Sequence, residues 1–444
     1  MSSRRDQVPT LTPPTEAARR PVIYDVTRIV TRALNAAPNG IDRVDFALAR
    51  HFLTRDESAR AALICTAIGP RLADPDRALE TIEGVDSLWR EDGDAEEDDV
   101  YRRVVAALRS TDFVRPSPTR AKKAPSLKFL EQNWHALRRW APHLGRPLHL
   151  APPGAIYFNV TQFLIDRSWY VRWLATRPDI KPVFFVHDLL PIDAPDFFRA
   201  REAMLHPRRL RNLCRYGAGA VVGSHAVARR LRQYAAENGR SDLPICVARL
   251  PVSPVFTSPA EAPAALGDVA YFVVCGTIEP RKNHLTLLNA WRALAFDPTP
   301  PKLVIVGKRG WLNDAVIAAL EQNVSLRAHV IEAGGLSTPG LRRLLAGARA
   351  LLMPSFAEGF GLPVAEALAA ETPVVASDIE AFRELGGDAI DYVDPLDERG
   401  WLQAARDYSA PNSLRRRAAL ERRTGAVASP DAFFSKIDDF IERL

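Results

Sequence analysis

Two glutamates, Glu358 and Glu366, bracket a stretch whose residue types could build a ligand site: EGFGLPVAE, within MPSFAEGFGLPVAEALAAETPVVAS (353–377). The apolar run before it reads as a strand. Gly359, Phe360, Gly361 and Leu362 form a loop, and Pro363 opens a helix, where its missing N–H costs little. A strand–loop–helix of this kind aims backbone N–H groups and the positive end of a helix at bound oxygens. Gly359 and Gly361 let the chain pass close to a ligand. Glu366, about a turn into the helix, can accept hydrogen bonds from a ribose diol, as an acidic residue does in dinucleotide sites. Glu358, on the loop, can face a sugar and offset positive charge developing there. A capped helix with two surface glutamates shows the same spacing; the loop between them separates the two readings.

A second cluster lies in VVCGTIEPRKNHLTLLNAW (273–291). Gly276 allows a tight turn after a strand, and Arg281 and Lys282 sit just before a helix. Positive charge is unfavourable at that end of a helix, so two cations there suit a diphosphate. Arginine would grip it as a fork and lysine as a point charge. In the first half, VFFVHDLLP (183–191) puts His187 and Asp188 at the end of a strand, where α/β ligand sites form. A histidine there is also commonly a satisfied core group. NGIDRVDFALARHF (39–52) opens an amphipathic helix after the strand VIYDVT. Gly40 can approach a phosphate or sugar and Arg43 offers a cation, although a plain strand-to-helix turn looks similar. Ser224, in GAVVGSHAVARRL (219–231), is a helix N-cap or a ligand contact.

These residues need a scaffold, and the chain of 444 residues supplies one. At roughly 100–200 residues per domain, two or three domains are expected. Short β-branched runs at 22–27, 61–68, 155–160, 182–188 and 219–224 read as buried parallel strands. The second half repeats the pattern at 270–276, 302–307, 329–334, 348–354, 373–377 and 389–394. Helical stretches between them imply right-handed crossovers, hence two Rossmann-like α/β domains. The expected organisation is a disordered tail (1–20), an N-terminal domain (21–255), a C-terminal domain (266–425) and a C-terminal helix (426–444). An insertion or lid is read at 91–150, acidic at 91–99 and basic thereafter.

The 353–377 segment closely resembles the donor-site signature of the family-four retaining glycosyltransferases, which have the two-domain GT-B fold with two parallel sheets facing each other across a cleft. The 273–291 segment resembles that family's diphosphate loop. It departs from it at Thr277, where many relatives carry arginine, the charge having moved to Arg281 in a GTxxPRKN variant. The GIDRV stretch is similar to a form found in bacterial polysaccharide glycosyltransferases. The resemblance implies a nucleotide diphosphate sugar as donor, with Gly40, Gly276, Arg281, Lys282, Gly359, Phe360, Gly361, Leu362 and Glu366 around it. His187, Glu358, Arg281 and Lys282 would act on the reacting sugar and leaving group, His187 beside the donor sugar. It also implies retention of anomeric configuration, no essential metal and no cofactor. Likeness to mannosyltransferases favours GDP-mannose as donor and a glycan or lipid-linked saccharide as acceptor. A degenerate GT-B module that only binds a glycan or partner, or a sugar-nucleotide epimerase, would share the fold. The retained Glu358, Glu366, Arg281 and Lys282 disfavour the first, and the full loop disfavours the second.

Composition sets outer bounds. A net charge of +6 fits an anionic substrate or membrane surface and is too small and dispersed to imply nucleic acid. Cys65, Cys214, Cys246 and Cys275 show neither zinc spacing nor a disulfide framework, so a reducing cytosol is the expected home. The first 20 residues lack an apolar core, and no apolar run reaches the ~18 residues of a spanning helix. DPD (74–76) and DGD (92–94) follow no strand and read as solvated charge. Segment 126–140, SLKFLEQNWHALRRW, has the composition of an interfacial helix, with Lys122, Lys123, Lys128, Arg138 and Arg139 to meet anionic lipid at the inner face of the cell membrane. Packing on the N-terminal domain with its cations in water fits that composition equally.

Overall fold

The structure, a computed structural model, describes residues 19–32, 40–66, 68–89 (backbone only for 85–89), 93–110, 145–259, 262–267, 269–422 and 428–444. The β-branched runs are strands because helices cover both faces of each sheet, so that alternating residues are buried on opposite sides. The first sheet contains β1 (Val22–Asp25), β2 (Arg60–Thr66), β3 (Gly69–Ala73), β4 (Ile156–Asn159), β5 (Lys181–Val186), β6 (Gly219–Val222) and β7 (Ile245–Val247), in the order β3-β2-β1-β4-β5-β6-β7. The second contains β8 (Tyr271–Cys275), β9 (Lys302–Val306), β10 (Val330–Glu332), β11 (Leu351–Met353), β12 (Val374–Ser377) and β13 (Ile390–Val393), in the order β10-β9-β8-β11-β12-β13. Every pairing is parallel except β2 with β3. Strand order reverses between β1 and β4 in one sheet and between β8 and β11 in the other. Ligand crevices of open α/β sheets form at such switch points, beyond the carboxyl ends of the strands.

One face of each sheet feeds a common core. Val22 and Tyr24 from β1 and Tyr271 and Val273 from β8 belong to a single apolar cluster, while Ile23 and Phe272 point into separate outer clusters. The two domains are therefore packed against each other through buried hydrophobic surface. The C-terminal helix Pro430–Glu442 returns to the first domain, where Asp438 pairs with His51 at 3.0 Å and with Arg55.

Each apolar run read as a strand contains one. Two strands escaped that reading. β3 has Pro70 on an antiparallel edge, where a missing N–H is tolerated, and β7 has only three residues. The insertion is anchored on the second domain: helix Asp99–Arg109 packs there, Asp98 Oδ2 accepts from Ser337 N at 2.7 Å, and Lys302 Nζ donates to Ala107 O at 2.8 Å. The acidic triplets are not merely solvated charge, and DPD (74–76), read as following no strand, comes directly after β3. Asp94 accepts from Glu96 N at 3.0 Å, and Asp74 from Asp76 N at 3.0 Å and Arg77 N at 3.2 Å, so each satisfies donors at a helix start. Segment 126–140 and the 1–18 part of the tail lie outside the described residues. Among the described residues no helix is long and apolar enough to cross a membrane.

Candidate active site

The turn after β8 and the loop after β11 meet at the second sheet's switch point, and they bring Arg281, Lys282 and Glu358 together. Lys282 Nζ donates to Glu358 Oε1 at 2.5 Å and Arg281 Nη1 to Glu358 Oε2 at 2.8 Å. Ser355 Oγ donates to the same Oε1 at 2.8 Å, and Arg281 Nε lies 2.7 Å from Glu279 Oε1. The side chain of Glu358 is 6% exposed. Burial pushes its carboxyl up, but Lys282 and Arg281 outweigh burial and hold it at about 2. Burial pulls the Arg281 guanidinium down and Glu358 and Glu279 more than restore it. Gly276 lies against the lysine stem, its notional Cβ 3.1 Å from Lys282 Cε. Two cations and two carboxylates thus share one desolvated corner, an arrangement able to receive a diphosphate.

The loop 358–363 has a different physical basis from the one its glycines suggested. A Cβ on Gly359 would come 2.5 Å from the His187 carbonyl oxygen, so this glycine admits the first domain's backbone. Gly361 takes φ 92°, which favours glycine, and a Cβ there would strike Phe382 at 2.6 Å. Phe360 is buried, 3.6 Å from the notional Cβ of Gly223, and plugs the domain junction. Pro363 stands in the first turn of helix Leu362–Ala369, as its chemistry requires. Ser224 is the N-cap of helix His225–Glu237, accepting from Val227 N at 3.2 Å, and its hydroxyl donates to Gly359 O at 3.0 Å. Glu384 accepts from His225 N at 2.6 Å and Ala226 N at 2.9 Å, a second tie between the domains at a helix N-terminus.

His187 follows the last residue of β5, and its carbonyl oxygen packs against Gly359 of the Glu358 loop. Its Nε2 is 3.0 Å from Val160 O. A carbonyl only accepts, so Nε2 carries the proton and Nδ1 is left as an acceptor. Burial first, and then Arg28, pull the ring down to about 4. The imidazole is neutral near pH 7, suited to accepting a hydrogen bond from a hydroxyl and unsuited to pairing with a phosphate. Gly40 opens helix Gly40–Leu53, its notional Cβ 3.5 Å from Leu362 Cδ2. Glu366 is 4% exposed and accepts from Arg43 Nη1 at 2.5 Å.

The structure thus places the expected residues in contact groups: Gly276 and Arg281 with Lys282 and Glu358, Gly359 against His187, and Gly40 near Leu362 with Glu366 held by Arg43, while Phe360 is turned to packing. Reasoning from sequence missed Glu279, Ser355, Thr338 and Glu384. Glu279 stood in view beside Arg281. The partners of Thr338 and Glu384 are distant in the chain, so no local signal could find them. Among the described residues no group of three His, Cys, Asp or Glu side chains is placed to hold a metal ion.

Comparison with known proteins agrees with this architecture. Residues 260–404 match the family described as glycosyl transferases group 1. The chain is 31% identical over 215 residues to the serotype-specific mannosyltransferase WbdA of Escherichia coli, covering 46% of this chain and 26% of that protein. It is 35% identical over 149 residues to O-antigen chain mannosyltransferase B of Escherichia coli, covering 33% and 39%. The matches thus span about a quarter to two-fifths of these relatives. In structure the chain resembles Anabaena Alr3699/HepE, solved with UDP and glucose, with a TM-score of 0.61 at 14% identity over 96% of this chain and 100% of that one. A trehalose-phosphate synthase from Burkholderia vietnamiensis gives a TM-score of 0.54 at 13% identity over 78% and 83%. The fold is GT-B, and the chain resembles the bacterial mannosyltransferases of that fold.

Proposed function

We propose that this chain, whose residues 260–404 carry the glycosyl transferases group 1 domain on a GT-B frame, is a retaining glycosyltransferase. It moves a hexose, mannose favoured and GDP-mannose the favoured donor, to a glycan or lipid-linked acceptor in bacterial polysaccharide assembly. The supporting observation is the convergence of Arg281 and Lys282 on Glu358, buried at the carboxyl end of the second sheet. Preorganised cations in a dry corner stabilise charge as it develops on a leaving diphosphate, without reorganising at the moment of reaction. The reacting sugar then passes through an oxocarbenium-like state, which the ionised Glu358 steadies. In front-face attack the departing phosphate takes the acceptor's proton, so no protein base is required. Neutral His187 contributes a hydrogen-bond acceptor that orients a sugar hydroxyl. Glu366 receives the ribose. The chain works on the cytoplasmic side, with an anionic membrane surface as its expected neighbour.

Thermal shift with a panel of nucleotide sugars tests the reading. The true donor at 100 times its Kd stabilises the protein by ~2.7 kcal/mol. A panel that raises Tm with no member would contradict it.

A further inference from the structure

We infer that Arg43 is a positioning residue for Glu366, reaching from the first domain to fix the carboxylate that receives the donor's ribose. The inference rests on the donor-site reading above. Three contacts carry it. Arg43 Nη1 donates to Glu366 Oε1 at 2.5 Å, and Arg43 Nη2 donates to Thr338 Oγ1 at 3.0 Å. The notional Cβ of Gly40, three residues earlier, is 3.5 Å from Leu362 Cδ2, so the first turn of the Gly40 helix is seated on the first turn of the Glu366 helix. Glu366 and Thr338 are each 4% exposed. A carboxylate this buried needs a polar partner to offset the water it has lost. A guanidinium with two nitrogens engaged holds that partner in a fixed plane. A carboxylate has about four lone-pair sites, so its bond to Arg43 does not by itself exhaust what it can accept from a diol.

The sequence offered Arg43 as a cation beside Gly40. The structure sets it against a carboxylate instead. Arg43 and Glu366 belong to different domains. The ribose site as read therefore draws on both domains.

Titration calorimetry with UDP, GDP and ADP identifies the nucleoside diphosphate that wild type binds. Its monophosphate and its 2′- and 3′-deoxy forms then give two ratios. Wild type is expected to prefer the ribose form about tenfold, one charge-assisted hydrogen bond's worth. Arg43→Ala should bind it about tenfold more weakly, with the ribose-to-deoxy ratio near one and the diphosphate-to-monophosphate ratio unchanged. Arg43→Lys keeps the charge without the fork and should lower the ribose-to-deoxy ratio part-way; it carries the same test should Arg43→Ala not fold. A ribose preference kept by both variants, or a loss confined to the diphosphate ratio, would overturn the positioning role alone. A wild type that binds none of the three would overturn the donor-site reading and this inference with it.

Discussion

Two buried carboxyl groups, one in each domain, meet opposite fates. Asp45 lies under β1 with Tyr24 Oη donating to its Oδ1 at 2.7 Å, and burial pushes it up to about 8. Glu358 lies at the carboxyl end of the second sheet, where burial is outweighed by Lys282 and Arg281 and the group is held at about 2. Desolvation alone drives a carboxyl to neutrality; only immediate cations keep it charged. Asp45 therefore serves as a neutral hydrogen-bonding core group, whereas Asp42, also buried in the first domain, pairs with Arg28 at 3.1 Å. The second domain concentrates charge in a dry corner, an arrangement with little structural rationale, since buried ion pairs seldom outdo well-packed apolar residues. That contrast is what the proposed placement of the chemistry in the second domain draws on.

The largest expected effect comes from breaking the charged corner. Lys282→Ala removes one cation from the leaving group and should lower kcat/KM with the nucleotide sugar by on the order of 10²-fold, comparable to losing one oxyanion donor. Steady-state kinetics on a variant with an unchanged circular dichroism spectrum measures it, and wild-type-like rates would return the corner to a structural role. Next in size is a split between the two glutamates. Glu358→Ala should act mainly on kcat. Glu366→Ala should act mainly on binding of the nucleoside diphosphate. If both substitutions move KM alone, the assignment of Glu358 to the reacting sugar is wrong.

The two domains also differed in how far their roles could be read from sequence. The members of the corner were legible because each sits in a local motif, whereas their pairing across 76 and 77 residues was not. Arg281 and Lys282 adjoin one helix, Glu358 opens another, and strand ends bring the two loops together. The parallel strands were legible because covered sheets demand continuous apolar runs. What escaped is non-local. Arg43 and Glu366 lie 323 residues apart, and Ser224 and Gly359 lie 135 apart. The glycines were legible as a need for close approach, but what approaches Gly359 is the His187 carbonyl. The acidic stretch near Asp94 and Asp98 read as charge because capping depends on where helices start, which short polar segments do not announce.

The neutral acid of the first domain sharpens the comparison at smaller amplitude. Its folded pKa is raised, so its stabilising contribution is fully present below about 4 and is lost as pH rises toward about 8. Asp45→Asn keeps an acceptor for Tyr24 and removes the titration. Urea unfolding should show variant minus wild-type stability growing from pH 5 to pH 8 by roughly a few kcal/mol. A difference flat across that range would mean that Asp45 is not held neutral. The smallest effect is expected from chelation. With the leaving group met by side chains, EDTA should leave the rate unchanged within error, whereas loss restored by Mn²⁺ or Mg²⁺ would place the charge elsewhere.

The central claim is that the buried Arg281–Lys282–Glu358 corner serves sugar transfer from a nucleotide diphosphate donor. Proton NMR of purified protein with GDP-mannose and a mannose-terminated oligosaccharide, repeated with other nucleotide sugars, tests it most directly. The expected result is nucleoside diphosphate released together with a new glycosidic linkage of the donor's own anomeric configuration. Release of no diphosphate from any donor, or a product of inverted configuration, would contradict it.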